Sequence, residues 1–214
     1  MPVPAFAKGR SAILAGVILL AVIAAASGAG IWAVRRGALA ALSGPADLAA
    51  ARERLAAEGL AMPLADPTIV VHKAERRLDL LDGTAVVRSY RVALGGELVG
   101  HKLREGDGRT PEGRYRVCTR LERSRFHLFL GLDYPAPEDA LGRADITAAE
   151  SGAIKEAHRS GGVPPWNTAL GGAIGIHGGG AGRDWTLGCI ALEDCGIEEV
   201  FLLTERGTPV LVLP

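Results

Sequence analysis

The longest apolar run in the chain lies near its amino terminus. Residues 11–34 form an uncharged stretch of 24 residues, rich in Ala, Ile, Leu and Val. A helix needs about 20 such residues to cross a bilayer, so the pattern predicts a membrane anchor within residues 1–36. A cleavable signal segment is the alternative, because three alanines at 24–26 offer the small residues that a signal peptidase accepts. Both interpretations place the rest of the chain outside the cytoplasm, in the cell envelope.

Residues 37–67 are predicted to form a linker with one short helix. Pro45 and Gly59 bracket a segment at 46–58 that is rich in Ala, Arg and Glu, as expected at the two ends of a helix. Leu48 and Leu55 are its only large apolar residues. We therefore expect a solvated spacer that packs loosely on the domain that follows.

From residue 68 onward, short runs of β-branched and aromatic residues are separated by turn residues. Asp82 and Gly83 predict a tight hairpin turn. Strands are predicted at 69–72, 77–81, 85–94, 114–118 and 210–213. The fold class is therefore mainly β, and we expect residues 68–214 to form one domain.

Two helices are predicted as inserts in this β domain. Thr147 and Glu150 have the spacing of a capping box, at the start of a helix that stops at Gly161. Asp194 is expected to cap a second helix, whose apolar face includes Ile197 and Phe201.

The charge distribution argues against a nucleic-acid partner. The chain has 24 basic and 24 acidic residues among 214. Four basic residues and no acidic ones lie in the first 36 positions, which leaves 20 basic and 24 acidic residues and a net charge of −4 in the remainder. A nucleic-acid surface needs the opposite balance.

A histidine and a cysteine twelve positions apart are the main candidates for chemistry. His177 and Cys189 lie at the facing ends of two short apolar segments joined by a glycine-rich loop, which predicts a hairpin-like return. A thiol is a nucleophile only as thiolate, so it needs a nearby base. The alternative is a buried free cysteine and a core histidine without a catalytic role.

Three motifs, in this order, resemble those of the L,D-transpeptidase catalytic domain, a family of cysteine enzymes that remodel bacterial peptidoglycan. The first motif is the strand start Thr-Pro-x-Gly-x-Tyr at 110–115, and the second is the aromatic and apolar run at 126–135. The third is Ile-His-Gly at 176–178, followed by Thr-Leu-Gly-Cys at 186–189. The departures are Leu187 and Ala191, where the family commonly has polar residues.

The resemblance implies a sandwich-like or barrel-like β fold and a thioester mechanism on peptidoglycan stem peptides. Cys189 is then the nucleophile and His177 the base. Backbone amides near Leu187, Gly188 and Cys189 are the implied oxyanion donors, and the Gly178 carbonyl is the implied partner that orients the imidazole. No metal or organic cofactor is needed. Substrate contacts are expected from Arg183, Asp184, Trp185, Thr186 and His127.

Several alternatives stay open at this point. A sortase-like transpeptidase would use His127, which lies 62 residues before Cys189. A hydrolase on the same scaffold, or an inactive wall-binding module tethered to the membrane, fits the same residues. A disulfide between Cys118 and Cys195 is compatible with an oxidising compartment, and the resemblance assigns the free thiol to Cys189.

Overall fold

A computed structural model describes residues 46–214, and these form a mainly β domain. The expected anchor or signal segment at 1–36 lies outside the described residues. Among residues 46–214, no helix has the length and apolar character needed to span a bilayer. The strands are β1 Pro67–His72, β2 Arg77–Asp82, β3 Ala85–Arg91, β4 Gly113–Ser124, β5 His127–Leu132, β6 Gly175–His177, β7 Ile190–Ala191 and β8 Pro209–Leu213.

The eight strands form one sheet in the order β3-β2-β1-β8-β4-β5-β6-β7. The long strand β4 joins its two halves. Residues 113–116 pair with β8, whereas residues from Val117 onward pair with β5. A register shift between Val117 and Thr119 marks the change of partner, as expected where a strand bends between two parts of a sheet.

The two edges of the sheet meet. Ala93, just beyond β3, exchanges two backbone hydrogen bonds of 2.8 Å with Ala191 in β7. The carbonyl of Leu94 also accepts hydrogen bonds from the backbone N–H groups of Trp185 and Thr186. This contact closes the sheet into a barrel-like form, and it brings the segment after β3 to the glycine-rich loop.

The main core lies between the two halves of the sheet. Leu128, Leu130 and Leu132 of β5 are fully buried in one cluster with Ile69 and Val71 of β1. Burying each such side chain contributes about 1.5–3 kcal/mol, so this cluster is a main source of stability.

The helix before the sheet is part of this core. Helix α1, Leu48–Ala57, has Ala51 and Leu55 at 0% exposure in the main cluster. The expectation of a loosely packed, solvated spacer was therefore wrong. Ala51 and Leu55 are four residues apart, so they share one helix face, and small size lets Ala51 approach closely.

Two further helices complete the described fold. Helix α2, Ala148–Ser160, has the predicted capping box of Thr147 and Glu150 and ends at Gly161, whose φ is 68°. Helix α3, Asp194–Leu203, packs its apolar face into the main core. Its N-cap is Glu193 and not Asp194, because Glu193 has extended backbone and Asp194 is already helical. The Asp194 carboxylate accepts a hydrogen bond from the Gly179 N–H.

Candidate active site

The strands β6 and β7 place the predicted pair side by side. They run parallel, with Ile176 opposite Ile190 and His177 opposite Ala191. Cys189 directly precedes β7, which begins at Ile190, so the parallel pairing brings the segments that carry His177 and Cys189 together. The predicted hairpin-like return was wrong, since a hairpin makes antiparallel strands. The connecting loop instead crosses to the Leu94 carbonyl before β7 begins.

His177 is held in one tautomer. Its ring is 1% exposed, and Nδ1 lies 2.7 Å from the carbonyl oxygen of Gly178. A carbonyl can only accept, so the proton is on Nδ1 and Nε2 has a free lone pair. Phe126 stacks on the ring at 4.8 Å between centroids, and Trp185 contacts it edge-on at 5.6 Å. Burial lowers the pKa of His177 to about 4, so a neutral imidazole is present near neutral pH.

Cys189 is partly exposed, and its sulfur lies 3.5 Å from the carbonyl oxygen of Ala173. Desolvation raises the pKa of this thiol to about 11, although the backbone of Gly175 and the charge of Lys102 oppose the shift. The resting site therefore holds a neutral thiol beside a neutral imidazole. Proton transfer must accompany nucleophilic attack, when the developing charges gain partners.

The backbone next to the sulfur requires glycine. Gly188 has a φ of 132°, and a Cβ there would lie 2.5 Å from the carbonyl oxygen of Arg109. Its N–H donates to Thr186 Oγ1, which in turn donates to the Cys189 carbonyl at 2.7 Å. In this conformation the Gly188 amide is occupied, so the amides of Leu187 and Cys189 are the better placed of the three predicted oxyanion donors.

The predicted substrate residues of the loop fall into two groups. The Asp184 side chain is fixed by two interactions. Its carboxylate pairs with Arg76 at 3.1 Å and accepts a hydrogen bond from the Leu94 N–H at 2.8 Å. Trp185 donates through Nε1 to the Gly180 carbonyl and packs on His177. Arg183, by contrast, is exposed at the surface of the loop. Their contacts with substrate stay predictions.

His127 lies behind the segment that follows His177. It is buried, with Nε2 2.9 Å from Glu198 Oε1. A Cβ on Gly178 would lie 2.9 Å from the Cβ of His127. His127 therefore packs against the segment whose carbonyl orients His177, and its predicted place in the substrate groove is untested.

The other two cysteines are also free. Cys118 is buried, which raises the pKa of its thiol to about 11. Cys195 is exposed near the start of α3. Cys189 is the cysteine that directly precedes β7, the strand paired with β6 at His177.

Sequence reasoning missed Lys102 and Phe126. Lys102 is buried and pairs with Asp107 at 2.8 Å, while Phe126 stacks on the imidazole. Phe126 opens a motif that the sequence does display, but nothing in its spacing shows the stacking. Lys102 stands eight residues before that Thr-Pro motif and has no sequence pattern of its own.

Residues 66–212 match the family model YkuD, the L,D-transpeptidase catalytic domain. The chain belongs to this family. The match includes His177, Cys189 and the loops that surround them. No curated protein matches the chain.

Solved structures of L,D-transpeptidases are similar at low identity. One from Xylanimonas cellulosilytica is 14% identical over 75% of this chain and 68% of its own, with a TM-score of 0.43. The helical cell shape determining protein Pgp2 from Campylobacter jejuni is 19% identical over 83% of this chain and 54% of its own, with a TM-score of 0.47. The L,D-transpeptidase of Enterococcus faecium is 14% identical over 70% of this chain and 50% of its own, with a TM-score of 0.41. This chain therefore spans only about half the length of the last two proteins.

Leu187 and Ala191, the two residues that depart from the family pattern, lie in different surroundings. Leu187 is 67% exposed and lies two positions before Cys189. Ala191 is fully buried and carries the two hydrogen bonds to Ala93 that close the sheet. Leu187 therefore changes the surface offered to a substrate, whereas Ala191 is part of the framework.

Proposed function

We propose that this member of the L,D-transpeptidase family modifies peptidoglycan stem peptides through a thioester on Cys189. The observation that carries the proposal is that His177 ends β6 and Cys189 directly precedes β7, the strand that pairs with β6 in parallel, within the matched region. The single tautomer of His177, fixed by Gly178, supports its role as base.

In the first half-reaction, Cys189 Sγ attacks the carbonyl carbon of the acyl donor, by family resemblance that of a diamino acid at the third stem position. His177 Nε2 accepts the thiol proton as the S–C bond forms. The negative charge on the carbonyl oxygen is stabilised by the nearby backbone amides. The imidazolium then returns the proton to the leaving nitrogen, the C–N bond breaks, and D-alanine departs from the thioester.

In the second half-reaction, an amine attacks the thioester and His177 removes its proton. The tetrahedral intermediate collapses, a new amide bond forms, and the Cys189 thiol is regenerated. Water can take the place of the amine, and the same steps then give hydrolysis. Neither half-reaction needs a redox partner.

The proposal is tested by mass spectrometry of purified muropeptides after incubation with the full-length chain in detergent. We expect D-alanine release and a new cross-link with the wild type, and neither with Cys189→Ala. Cys195→Ser is the matched control, and it should retain activity because Cys195 is exposed and lies outside the site.

Three other results would change the proposal. Products that carry water in place of the amine acceptor would make the protein a hydrolase. Binding of muropeptides without any product would favour the inactive wall-binding module. An adduct on Cys118 or Cys195 would overturn the assignment of the nucleophile.

We also propose that the catalytic domain acts outside the cytoplasm, held by a membrane anchor. The support is the uncharged run at 11–34 together with a substrate that lies in the cell envelope. An alkaline phosphatase fused after residue 214 should be active in intact cells and should remain in the membrane fraction. An inactive fusion would contradict the location, and a soluble active one would favour signal cleavage.

A further inference from the structure

A buried carboxylate lies behind the residues that surround His177. Glu198 of α3 is 7% exposed, and its Oε1 atom lies 2.9 Å from His127 Nε2. The same oxygen accepts a hydrogen bond from the backbone N–H of Asp47, also at 2.9 Å. Burying a carboxylate is costly unless such donors satisfy it, so these two contacts fix its position. The proposed reaction uses neither contact directly.

His127 occupies a backbone position that favours glycine. It follows the two-residue turn of Arg125 and Phe126 between β4 and β5, and its φ is 70°. A residue with a Cβ adopts this left-handed region at an energetic cost that glycine avoids. The contact with Glu198 accounts for a histidine here, because glycine has no side chain with which to make it.

Phe126 and His127 together hold the segment that follows His177. The Phe126 carbonyl accepts the Gly178 N–H at 2.9 Å, and a Cβ on Gly178 would lie 2.9 Å from the Cβ of His127. The Gly178 carbonyl accepts from His177 Nδ1, and the Phe126 ring stacks on the imidazole. Phe126 and Gly178 therefore form an imidazole clamp, and His127 joins this clamp to Glu198.

Helix α3 supports the imidazole clamp at a second point. Asp194, four residues before Glu198 and so on the same helix face, accepts the Gly179 N–H at 2.8 Å. The other charged or titratable groups around the clamp are Glu193, Arg125 and the Cys189 thiol. Helix α3 thus holds the segment after His177 through two carboxylates, Asp194 directly and Glu198 through His127.

We propose that Glu198 is a positioning residue that holds the imidazole clamp around His177 through His127. The proposal rests on the proposed function only in taking His177 as the base. Loss of the Glu198 carboxylate leaves the base in place but lets the clamp move. The ring then reaches water and is no longer restricted to one tautomer.

The experiment follows the His177 ring by NMR in the full-length chain in detergent, with isotope-labelled histidine. The signal that is missing from His177→Gln identifies the ring. The wild type should show the Nδ1–H tautomer and an apparent pKa of about 4. In Glu198→Ala we expect both tautomers and a pKa that rises by roughly one unit or more, toward that of an imidazole in water. Loss of a negative charge by itself would lower this pKa, so a rise reports exposure of the ring.

Glu199→Ala is the matched control. Glu199 is the next residue of α3, and its carboxylate accepts a hydrogen bond from the Tyr90 hydroxyl of β3 at 2.9 Å. This variant removes the same kind of group from the same helix and should leave the tautomer and pKa of His177 unchanged. Glu198→Gln should also resemble the wild type, because an amide oxygen can accept the same two hydrogen bonds.

His127→Gly provides a second test, which also serves if Glu198→Ala fails to fold. Glycine suits the left-handed backbone at this position, so the turn is kept while the contact with Glu198 is lost. This variant should show the same rise in the pKa of His177 and the same mixture of tautomers.

An unchanged tautomer and pKa in the folded Glu198→Ala or His127→Gly variant would overturn the proposal. So would an equal shift in Glu199→Ala, because the effect would then come from a general loosening of α3. The measurement needs no peptidoglycan, so its result is independent of whether the protein is a transpeptidase.

Discussion

The imidazole of His177 is buried between two aromatic side chains, and this burial decides which form of the base is present. Phe126 stacks on the ring and Trp185 contacts its edge, while the Gly178 carbonyl accepts a hydrogen bond from Nδ1–H. Charging a ring in this apolar surrounding is unfavourable, so its pKa falls to about 4. A histidine in water would be half protonated near pH 6.5. The site therefore keeps a proton acceptor available under mildly acidic conditions.

We predict that the acidic limb of kcat/KM for acyl transfer lies near pH 4 and not near 6.5. The protonated imidazole cannot accept the thiol proton, so activity is lost as the pH falls through the pKa of His177 in the folded protein, which is about 4. The measurement is the rate of D-alanine release from about two pH units below the pKa of His177 up to neutral pH. A limb at about 6.5 would show that the ring is solvated in the working enzyme.

The two histidines near the site should differ in effect. His177→Ala removes the base and should reduce kcat/KM by on the order of a hundredfold or more. His127→Gln keeps a hydrogen bond to Glu198 and should reduce it less than about tenfold, since His127 packs behind the Gly178 segment. The reverse ranking would favour a sortase-like use of His127.

At the scale of helices and strands, the sequence predicted an element correctly where residues close together in the chain decide its structure. The predicted strands at 69–72 and 77–81 correspond to β1 and β2. The predicted Asp82–Gly83 turn follows β2, and Gly83 adopts the positive φ of 59° that such a turn requires. The capping box of α2 was also predicted correctly. In both cases the residues that decide the structure are neighbours in sequence.

The pairing of β6 with β7 could not be predicted from local sequence patterns. The two strands have three and two residues, too few for any periodicity. Their parallel arrangement depends on hydrogen bonds between the loop and Leu94, about ninety residues earlier in the chain. The candidate pair His177 and Cys189 was found from residue chemistry and family resemblance, whereas Phe126 reaches the site only through the tertiary fold.

Helix α1 offers a prediction about an element. Leu55 is fully buried in the main core, so Leu55→Ala should lower the free energy of unfolding by about 2–5 kcal/mol. Leu141→Ala, at a side chain that is 79% exposed, is the matched control and should change it by less than about 0.5 kcal/mol. Denaturant titrations measure both. Equal effects would mean that α1 is the loose spacer that the sequence had favoured.

At the scale of the whole molecule, the site exists because distant parts of the chain converge. Gly95 N donates to Thr110 Oγ1, the Arg109 carbonyl lies against Gly188, and Leu94 binds the loop before Cys189. Closure of the sheet by Ala93 and Ala191 holds these segments together. A reagent that needs the whole arrangement is therefore a better probe of the site than one that needs only a thiol.

We predict that a carbapenem acylates Cys189. The strained lactam carbonyl is an acyl donor, so attack by the sulfur opens the ring, forms a thioester and leaves the lactam nitrogen to take up the proton. The step needs the base His177 and donors for the oxyanion as well as an accessible thiol. Intact-mass analysis should show an adduct of the full carbapenem mass on the wild type and none on Cys189→Ala.

We expect the side chain of Leu187 to affect the rate at which a carbapenem acylates Cys189. Its exposed side chain beside Cys189 gives the drug an apolar surface where the family commonly has a polar one, so we expect Leu187→His to change the rate while leaving the site of acylation the same. His177→Ala is the second control, because it should slow acylation by the carbapenem far more than alkylation by iodoacetamide. Rapid alkylation of folded wild type without any carbapenem adduct would mean that the thiol is reachable but the oxyanion donors are not in place, and it would favour a wall-binding module over a transpeptidase.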